Sequence, residues 1–271
     1  MEPIFVKTRT HYYLCGDSEC EKTHPAGYTD LWNLVDVSGF KTVYPEEIEW
    51  DSDNTYILSP LNGEFPNPLP ERKCKVIWLN IERPSWHNTH KFDRPDFNEI
   101  WVCDRRWAEE TGVRYFLMGS DARLGYQLSE EYNYITNTYD VPRRTAIWSQ
   151  LEEFTRAPSG WKDRDDNLAK SSVIIVPQQD DPPHCIIPLR FTVAAAFMLP
   201  MIFEGETDMY PFVDKEHFFH AKYENIVEIA KDVIADTTVT GDSTHRDRIA
   251  RNLHKLLCVD TNFRKSVEAM L

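Results

Sequence analysis

The chain has 271 residues, of which 41% are hydrophobic and 27% charged, proportions typical of a globular protein. A formal net charge of -14 repels polyanions at long range, so the charge pattern of a general nucleic-acid binder is missing. The most apolar run, Phe191 to Phe203, is too short to span a membrane and contains Pro200. We therefore expect a cytoplasmic protein of two compact halves, with no membrane partner.

The first half alternates short β-rich runs with helical patterns, as a doubly wound sheet requires. Strands are predicted at residues 11–15, 55–58, 75–80, 99–103 and 113–118. Helices are predicted at residues 28–37 and after Asp104, whose side chain suits an N-cap. This half closes at Gly119-Ser120-Asp121.

The second half begins after a crossover that we place near residues 124–131. Strands are predicted at residues 132–137, 172–176 and 200–204, and helices at residues 142–154, 188–197, 222–234, 247–258 and 262–270. The sequence has no internal repeat of fixed period. These patterns predict an α/β protein with two Rossmann-like domains, residues 1–127 and 128–271.

Several motifs with well-defined chemistry are missing. The chain contains no G-x-G-x-x-G, no Walker loop and no G-x-S-x-G elbow, which argues against nucleotide-dependent hydride or phosphoryl transfer and against a serine hydrolase. The six cysteines are expected to be free thiols. His11, Cys15, Cys20 and His24 are the right elements for zinc but do not have a standard spacing, so a metal site and an ordinary loop both stay open.

The segment from Val173 to Glu204 carries the strongest chemical pattern. A buried strand, VIIV, leads into the loop PQQDDPPHC and then into a helix that opens at Pro188 and Leu189. The N-terminus of such a helix is a natural seat for a diphosphate, and Arg190 adds a forked cation. Glu204 ends the next strand, where a carboxylate can accept ribose hydroxyls. The structural alternative is that Arg190 pairs with a surface carboxylate and that Glu204 is a solvated strand end.

Residues Tyr132 to Leu271 resemble the C-terminal half of GT-B glycosyltransferases of the group 1, spore-maturation type. The motifs that carry the resemblance are Asn137 followed by Arg143 or Arg144, NLAKSSVIIV, RFTVAAAFMLP, Glu204, DMYPFVDKEHFF and RDRIARNLHKLL. The first half resembles the family more loosely, through WLNIERPSW, FNEIWVCDRRWAEETG and YFLMGSDARLG. One departure is that Val193 stands where many relatives carry an acid in the helix. The fold that this resemblance implies is GT-B-like, with a cleft between the two domains.

The resemblance also implies a function and a donor site. A nucleoside-diphosphate sugar, with a UDP-sugar expected, binds the C-terminal domain and serves as co-substrate without a metal or other cofactor. The donor contacts implied are Pro188, Leu189 and Arg190, with Arg143 or Arg144 and Glu204. His184 is expected to contact the sugar or phosphate.

The N-terminal domain is implied to bind the acceptor. Removal of the acceptor proton needs a general base, for which Glu82 is the first candidate, Asp121 the second and His184 the third. Glu82 has a structural alternative, a salt bridge to Arg83. Arg83, Trp86 and Gly119 are the other expected acceptor or cleft residues.

The acceptor itself stays open between a glycan, a protein, a small molecule and a hydroxymethylated DNA base. A DNA-modifying enzyme needs a local basic patch, and Arg105, Arg106, Arg114 and Arg123 are close enough in sequence to form one. The alternative to an enzyme is a catalytically silent GT-B module that binds nucleotide or glycan, an interpretation that the missing acid at Val193 permits.

Overall fold

The computed structural model describes residues 2–7, 26–59, 68–81, 96–122, 132–135, 142–151, 155–156, 168–178, 188–205, 209–236, 239–240 and 243–271. The chain forms two compact units. The first unit comprises Met1–Met118, Ile187–Leu189 and Phe263–Leu271, and the second comprises Gly119–Ile186 and Arg190–Asn262. The predicted crossover near residues 124–131 lies outside the described residues. The strand that follows it begins at Tyr132.

The first unit is built on a six-stranded parallel sheet. Its strands are β1 (Ile4–Val6), β2 (Lys41–Val43), β3 (Thr55–Leu58), β4 (Lys75–Asn80), β5 (Glu99–Val102) and β6 (Arg114–Tyr115). They lie in the order β2-β1-β3-β4-β5-β6, and every neighbouring pair is parallel. Its first two helices are α1 (Ala26–Val37) and α2 (Arg105–Thr111).

The local sequence explains these elements. The predicted bounds of β3 and β4 are confirmed, because continuous apolar runs of this length suit strands that are covered on both faces. The predicted cap is confirmed as well, since the Asp104 carboxylate accepts a hydrogen bond from the Trp107 amide at 3.0 Å. Helix α2 ends at Gly112, whose φ of 73° lies in the left-handed region that glycine adopts without strain.

The second unit is built on a five-stranded parallel sheet. Its elements in chain order are β7 (Tyr132–Ile135), α3 (Pro142–Leu151), β8 (Thr155–Arg156), β9 (Ser171–Val176), α4 (Pro188–Ala196, whose first two residues belong to the first unit), β10 (Met201–Glu204), β11 (Phe219–Ala221), α5 (Ile226–Ala235), the hairpin β12 (Val239–Thr240) and β13 (Ser243–Thr244), and α6 (His245–His254). The sheet order is β11-β10-β9-β7-β8. A π-helical segment, Lys255–Asp260, follows α6.

The two sheets share one topology. Numbered within its own unit, each sheet has the strand order 2-1-3-4-5, and the first unit adds a sixth strand at the end. This is the order of doubly wound α/β domains in which the chain reverses its winding direction beside the first strand. The predicted fold class is therefore confirmed at the level of an α/β protein with parallel, Rossmann-like sheets.

The C-terminal helix α7 (Phe263–Met270) belongs to the first unit. Phe263 is fully buried, and its ring lies 5.9 Å from Phe5, 6.2 Å from Phe40 and 6.2 Å from Phe116. The Arg264 Nε donates a hydrogen bond to the Ser38 carbonyl at 3.0 Å. The predicted domains are consecutive in sequence, whereas these contacts return residues 263–271 to the unit formed by the start of the chain.

Several short strands were absent from the sequence prediction. They are β1, β2, β8, β11 and the hairpin β12–β13, all of two or three residues. A run of this length is too short to show the alternation that marks a strand. The strand predicted at residues 11–15 lies outside the described residues. None of the described helices is long and apolar enough to cross a membrane.

Candidate functional site

The carboxyl edge of the second sheet gathers half of the predicted donor residues that the structure describes. Strands β7 and β9 are neighbours, and from β7 the chain goes to one side for β8 and to the other for β9, β10 and β11. Ligands of open α/β sheets bind outside the carboxyl ends of the strands at such a reversal point. Helix α3 starts at Pro142 after β7, Pro177 and Gln178 follow β9, and Glu204 ends β10.

Glu204 and Arg143 form an ion pair at this edge. The Arg143 Nη1 donates to Glu204 Oε2 at 2.6 Å and also contacts Oε1. The Gln178 amide donates to Glu204 Oε2 at 2.8 Å. Glu204 is only 1% exposed, and the Arg143 side chain is 15% exposed. The alternative that Glu204 is a solvated strand end is therefore wrong, because the carboxylate is buried and held by two donors.

Tyr223 contacts Arg143 with both its ring and its hydroxyl group. The Arg143 guanidinium carbon lies 3.8 Å from the centre of the Tyr223 ring, a cation–π contact. The Tyr223 hydroxyl donates to the Arg143 carbonyl at 3.3 Å. Tyr223 precedes α5 and Arg143 is in the first turn of α3. The guanidinium is therefore held between a carboxylate and an aromatic face, which leaves it little rotational freedom.

Arg144 has a different environment from its neighbour. It is buried at 6% exposure, and its Nε donates to the Pro177 carbonyl at 3.0 Å. Arg144 thus holds Pro177, while Glu204 holds the amide of Gln178. The two contacts thus anchor two adjacent residues, at the point where the chain leaves β9. Arg143, Arg144 and Glu204 consequently fix the start of the segment that leads to α4.

Helix α4 carries the remaining described donor candidates. It begins at Pro188, as predicted, and Arg190 lies in its first turn with a partly exposed side chain. Ala194, Ala195 and Ala196 are buried, which agrees with the expected close packing of small residues. Val193 is buried too, at 8% exposure, so this position suits the apolar side chain that it carries.

Gly119, Ser120 and Asp121 form a tightly packed segment in the second unit. A Cβ at position 119 would lie 1.8 Å from the Thr261 carbonyl oxygen, so only glycine fits there. The Ser120 amide donates to the Leu257 carbonyl and its hydroxyl to the Thr192 carbonyl, both at 2.7 Å. The expected cleft residue Gly119 therefore has a sufficient packing reason of its own.

Asp121, the last residue of this segment, is partly exposed. Burial of Cys258, together with the negative charge of Asp121, raises the pKa of the Cys258 thiol to about 12, although a hydrogen bond with Ser120 acts in the opposite direction. A thiol with such a pKa is not a nucleophile near neutral pH. Among these three side chains, only the Asp121 carboxylate has the chemistry of a general base.

Several predicted site residues lie outside the described residues. They are Glu82, Arg83, Trp86, Asn137, His184 and the set His11, Cys15, Cys20 and His24. Their predicted roles stay predictions. Within the part of the chain that the structure describes, no group of three or more His, Cys, Asp or Glu side chains could hold a metal ion. Cys74, Cys103 and Cys258 are free thiols, as expected for these three.

Sequence reasoning missed Tyr223 and Gln178. Gln178 lies two residues after the end of a buried strand, and that position was a usable signal, because polar groups at strand ends tend to face ligand sites. Tyr223 gave no such signal, since the three-residue strand β11 before it was not recognised and the residue was assigned to a helix. Its position beside Arg143 depends on a contact between residues 80 apart in sequence.

Comparison with known proteins adds no assignment, because neither a family model nor a curated protein matches this chain. A function therefore has to be derived from the topology of the two sheets and from the side chains at their carboxyl ends.

Proposed function

We propose that the protein is a glycosyltransferase of the GT-B type that transfers a sugar from a nucleoside-diphosphate sugar to an acceptor hydroxyl. The observation that carries the proposal is the repeated 2-1-3-4-5 sheet order, with a cluster of cationic and acidic side chains at the carboxyl edge of the second sheet. Two parallel Rossmann-like sheets in one chain suit a two-substrate transferase, in which one half binds the nucleotide and the other the acceptor.

The donor is proposed to bind where α4 begins. The positive end of the helix dipole and the Arg190 guanidinium would face the diphosphate, because both favour negative charge. Pro188 and Leu189 open this turn. Arg144 and Glu204 contribute by holding Pro177 and Gln178, which begin the segment that leads to it.

Glu204 is proposed to act mainly as a positioning residue. Its carboxylate is almost fully buried and already accepts hydrogen bonds from Arg143 and Gln178. A direct contact with ribose hydroxyls would require Arg143 to give up part of its bond to Glu204. Because the Glu204 carboxylate neutralises part of the Arg143 charge, Arg143 contributes less positive potential to the site than an unpaired arginine would.

The proposed transfer proceeds by attack of an acceptor hydroxyl oxygen on the anomeric carbon. The new carbon–oxygen bond forms as the bond to the diphosphate breaks, and the diphosphate leaves with the electron pair. Arg190 and the helix terminus stabilise its charge, and a carboxylate takes the acceptor proton. Glu82 and Asp121 remain the proposed bases, and Asp121 is the one whose partly exposed position the structure describes.

A DNA acceptor receives little support from the described arginines. Arg105 pairs with Glu109 at 2.8 Å, Arg106 with Glu110 at 3.2 Å, and Arg114 with Glu99 at 2.7 Å. Each predicted patch residue within the described ranges thus has a carboxylate partner, so the patch gains little net positive charge. We therefore favour a glycan, protein or small-molecule acceptor.

The test combines binding and turnover. The purified protein is screened with UDP-, GDP-, ADP- and dTDP-sugars by thermal shift, and release of nucleoside diphosphate is followed with time. A ligand at a hundredfold its dissociation constant should stabilise the fold by about 2.7 kcal/mol. No thermal shift with any of these donors would refute the proposal. A shift without release of nucleotide would identify a silent binding module.

Arg190 provides the residue-level test. Arg190→Ala removes a charge-assisted contact with the diphosphate, worth about 1.5 to 3 kcal/mol, so donor affinity should fall by about tenfold or more. Arg190→Lys should recover little, because an ammonium lacks the planar fork. Arg106→Ala, which removes an exposed arginine of the first unit, is the matched control and should bind donor like wild type. Unchanged affinity in folded Arg190→Ala would place the diphosphate elsewhere.

A further inference from the structure

Tyr210 is an exposed aromatic residue on a short turn after β10. The Phe212 amide donates to the Met209 carbonyl at 2.9 Å, which closes a four-residue turn with Tyr210 and Pro211 at its tip. Met209 and Phe212 are buried at 2% and 5% exposure, whereas Tyr210 is 59% exposed. The turn therefore has two buried ends and presents the Tyr210 ring outward.

A buried aromatic cluster anchors this turn to the candidate donor elements. The cluster consists of Phe191, Phe203, Phe212 and Phe218. Phe212 stacks on Phe191 with ring centres 4.0 Å apart and an interplanar angle of 23°. Phe191 directly follows Arg190 in α4, and Phe203 directly precedes Glu204 in β10. The turn is thus fixed to the two elements that carry Arg190 and Glu204.

Gly205 places the same turn at the carboxyl end of β10. A Cβ at this position would lie 2.6 Å from the Phe203 ring and 3.0 Å from the Met209 sulfur, so the turn approaches the strand end closely. The His220 ring forms a hydrogen bond from Nε2 to the Gly205 carbonyl at 2.7 Å. Met209, which directly precedes Tyr210, therefore approaches the end of the strand that carries Glu204.

We propose that Tyr210 is the stacking platform for the base of the nucleoside-diphosphate donor. The inference rests on the proposed function and adds a residue that binds the base to the same site. An aromatic ring on a rigid turn binds a base face at little conformational cost, and stacking tolerates every base because each has a π face. Tyr210 is expected to increase affinity for the nucleoside portion and to leave the diphosphate portion unaffected.

The experiment is calorimetric titration of four ligands, namely UDP, ADP, uridine and inorganic diphosphate. The variants are Tyr210→Ala, Tyr210→Phe and Val213→Ala, the last being a control because Val213 is also exposed on this segment. Loss of one stacking contact corresponds to about a fivefold to hundredfold loss of affinity. Tyr210→Ala should lose this much for UDP, ADP and uridine and nothing for inorganic diphosphate. Tyr210→Phe and Val213→Ala should bind like wild type.

The outcomes separate this inference from the proposed function. If wild type binds UDP or ADP and Tyr210→Ala binds them equally well, the platform is refuted and the glycosyltransferase proposal is unaffected. An equal loss for inorganic diphosphate would also refute it, since the ring would then act on the whole site. If wild type binds none of the four ligands, the donor site and the platform are both refuted. Tyr210→Trp, which keeps a flat ring, should restore binding if stacking is the cause.

Discussion

The pair formed by Arg143 and Glu204 allows a quantitative test of how the carboxyl edge of the second sheet is held together. Arg143→Met removes the ion pair with the Glu204 carboxylate, whose side chain is 2% exposed. Of the contacts described above, that carboxylate then keeps the hydrogen bond from the Gln178 amide. Removing one partner of a buried ion pair costs about 3 to 5 kcal/mol, because the other charge stays desolvated. We expect Arg143→Met to reach this range.

Glu204→Gln should cost less, about 2 kcal/mol, for two reasons. The Arg143 side chain is 15% exposed, so water can partly replace the lost charge, and its guanidinium keeps the contact with the Tyr223 ring. The glutamine oxygen also remains an acceptor for the Gln178 amide. The double variant should lose less stability than the two single variants together, with a coupling energy of at least about 1.5 kcal/mol.

The assay is urea unfolding at pH 7, followed by circular dichroism, for the wild type, both single variants and the double variant. The exposed pair Lys73–Asp53, with side chains 62% and 66% exposed, provides a control cycle in which the coupling should be about 0 to 1 kcal/mol. Raising the salt concentration to 1 M should remove the control coupling and leave the Arg143–Glu204 coupling largely intact. Additive effects within about 0.5 kcal/mol would refute the buried pair.

Two further predictions concern parts of the fold outside this pair. Burial raises the pKa of Glu99, but hydrogen bonds from Lys75, Trp101 and Arg114 outweigh it and lower this pKa to about 2. The contribution of the Glu99 carboxylate to the free energy of unfolding is therefore complete above about pH 4.5 and lost as the pH falls toward 2, by at most about 3 kcal/mol. Glu99→Gln should flatten this part of the stability profile measured by urea unfolding. An unchanged profile would contradict the assignment. Gly119→Ala should lower the free energy of unfolding by about 1 to 3 kcal/mol or more, because the added Cβ overlaps the Thr261 backbone. Gly112→Ala should lower it by about 1 kcal/mol, because φ is 73° there but no atom lies within 4 Å of the added Cβ. Thermal melts that rank the two variants in the opposite order would refute the packing role of Gly119.

The sequence predicted those elements whose signal is local. Strands β3 and β4 were predicted at their observed bounds because continuous apolar runs mark buried parallel strands. Helix α2 was predicted from Asp104, which caps it through a contact three residues away. The start of α4 was predicted at Pro188, a residue suited to the first position of a helix.

Features that depend on contacts distant in sequence were not predictable in this way. Strand β1 has three residues and exists because β2 and β3 pair with it on either side. The return of α7 to the first unit rests on Phe263, whose partners Phe5, Phe40 and Phe116 lie at least 147 positions earlier. A helical pattern gives the face that is buried but not the surface that covers it.

The candidate donor site shows the same limit. Arg143 and Glu204 were both selected as donor contacts from local patterns, yet their mutual ion pair joins residues 61 apart. That pairing changes the expected role of each, because a neutralised arginine contributes less to diphosphate binding and a buried carboxylate is less accessible to ribose. Arg190 was selected by the same patterns, and the direct charge contact to the diphosphate is proposed for it.

The buried ion pair also bears on why this edge differs from an ordinary structural sheet edge. Replacing a buried pair with apolar side chains of similar volume is often neutral or stabilising, so fold stability alone is a weak reason for Arg143 and Glu204 to be there. What the pair does provide is orientation: Glu204 fixes the Gln178 amide, and Arg143 is held against Tyr223. Such orientation is what the proposed donor site would require of its supporting side chains, because groups that are already held in place need no rearrangement when a ligand binds.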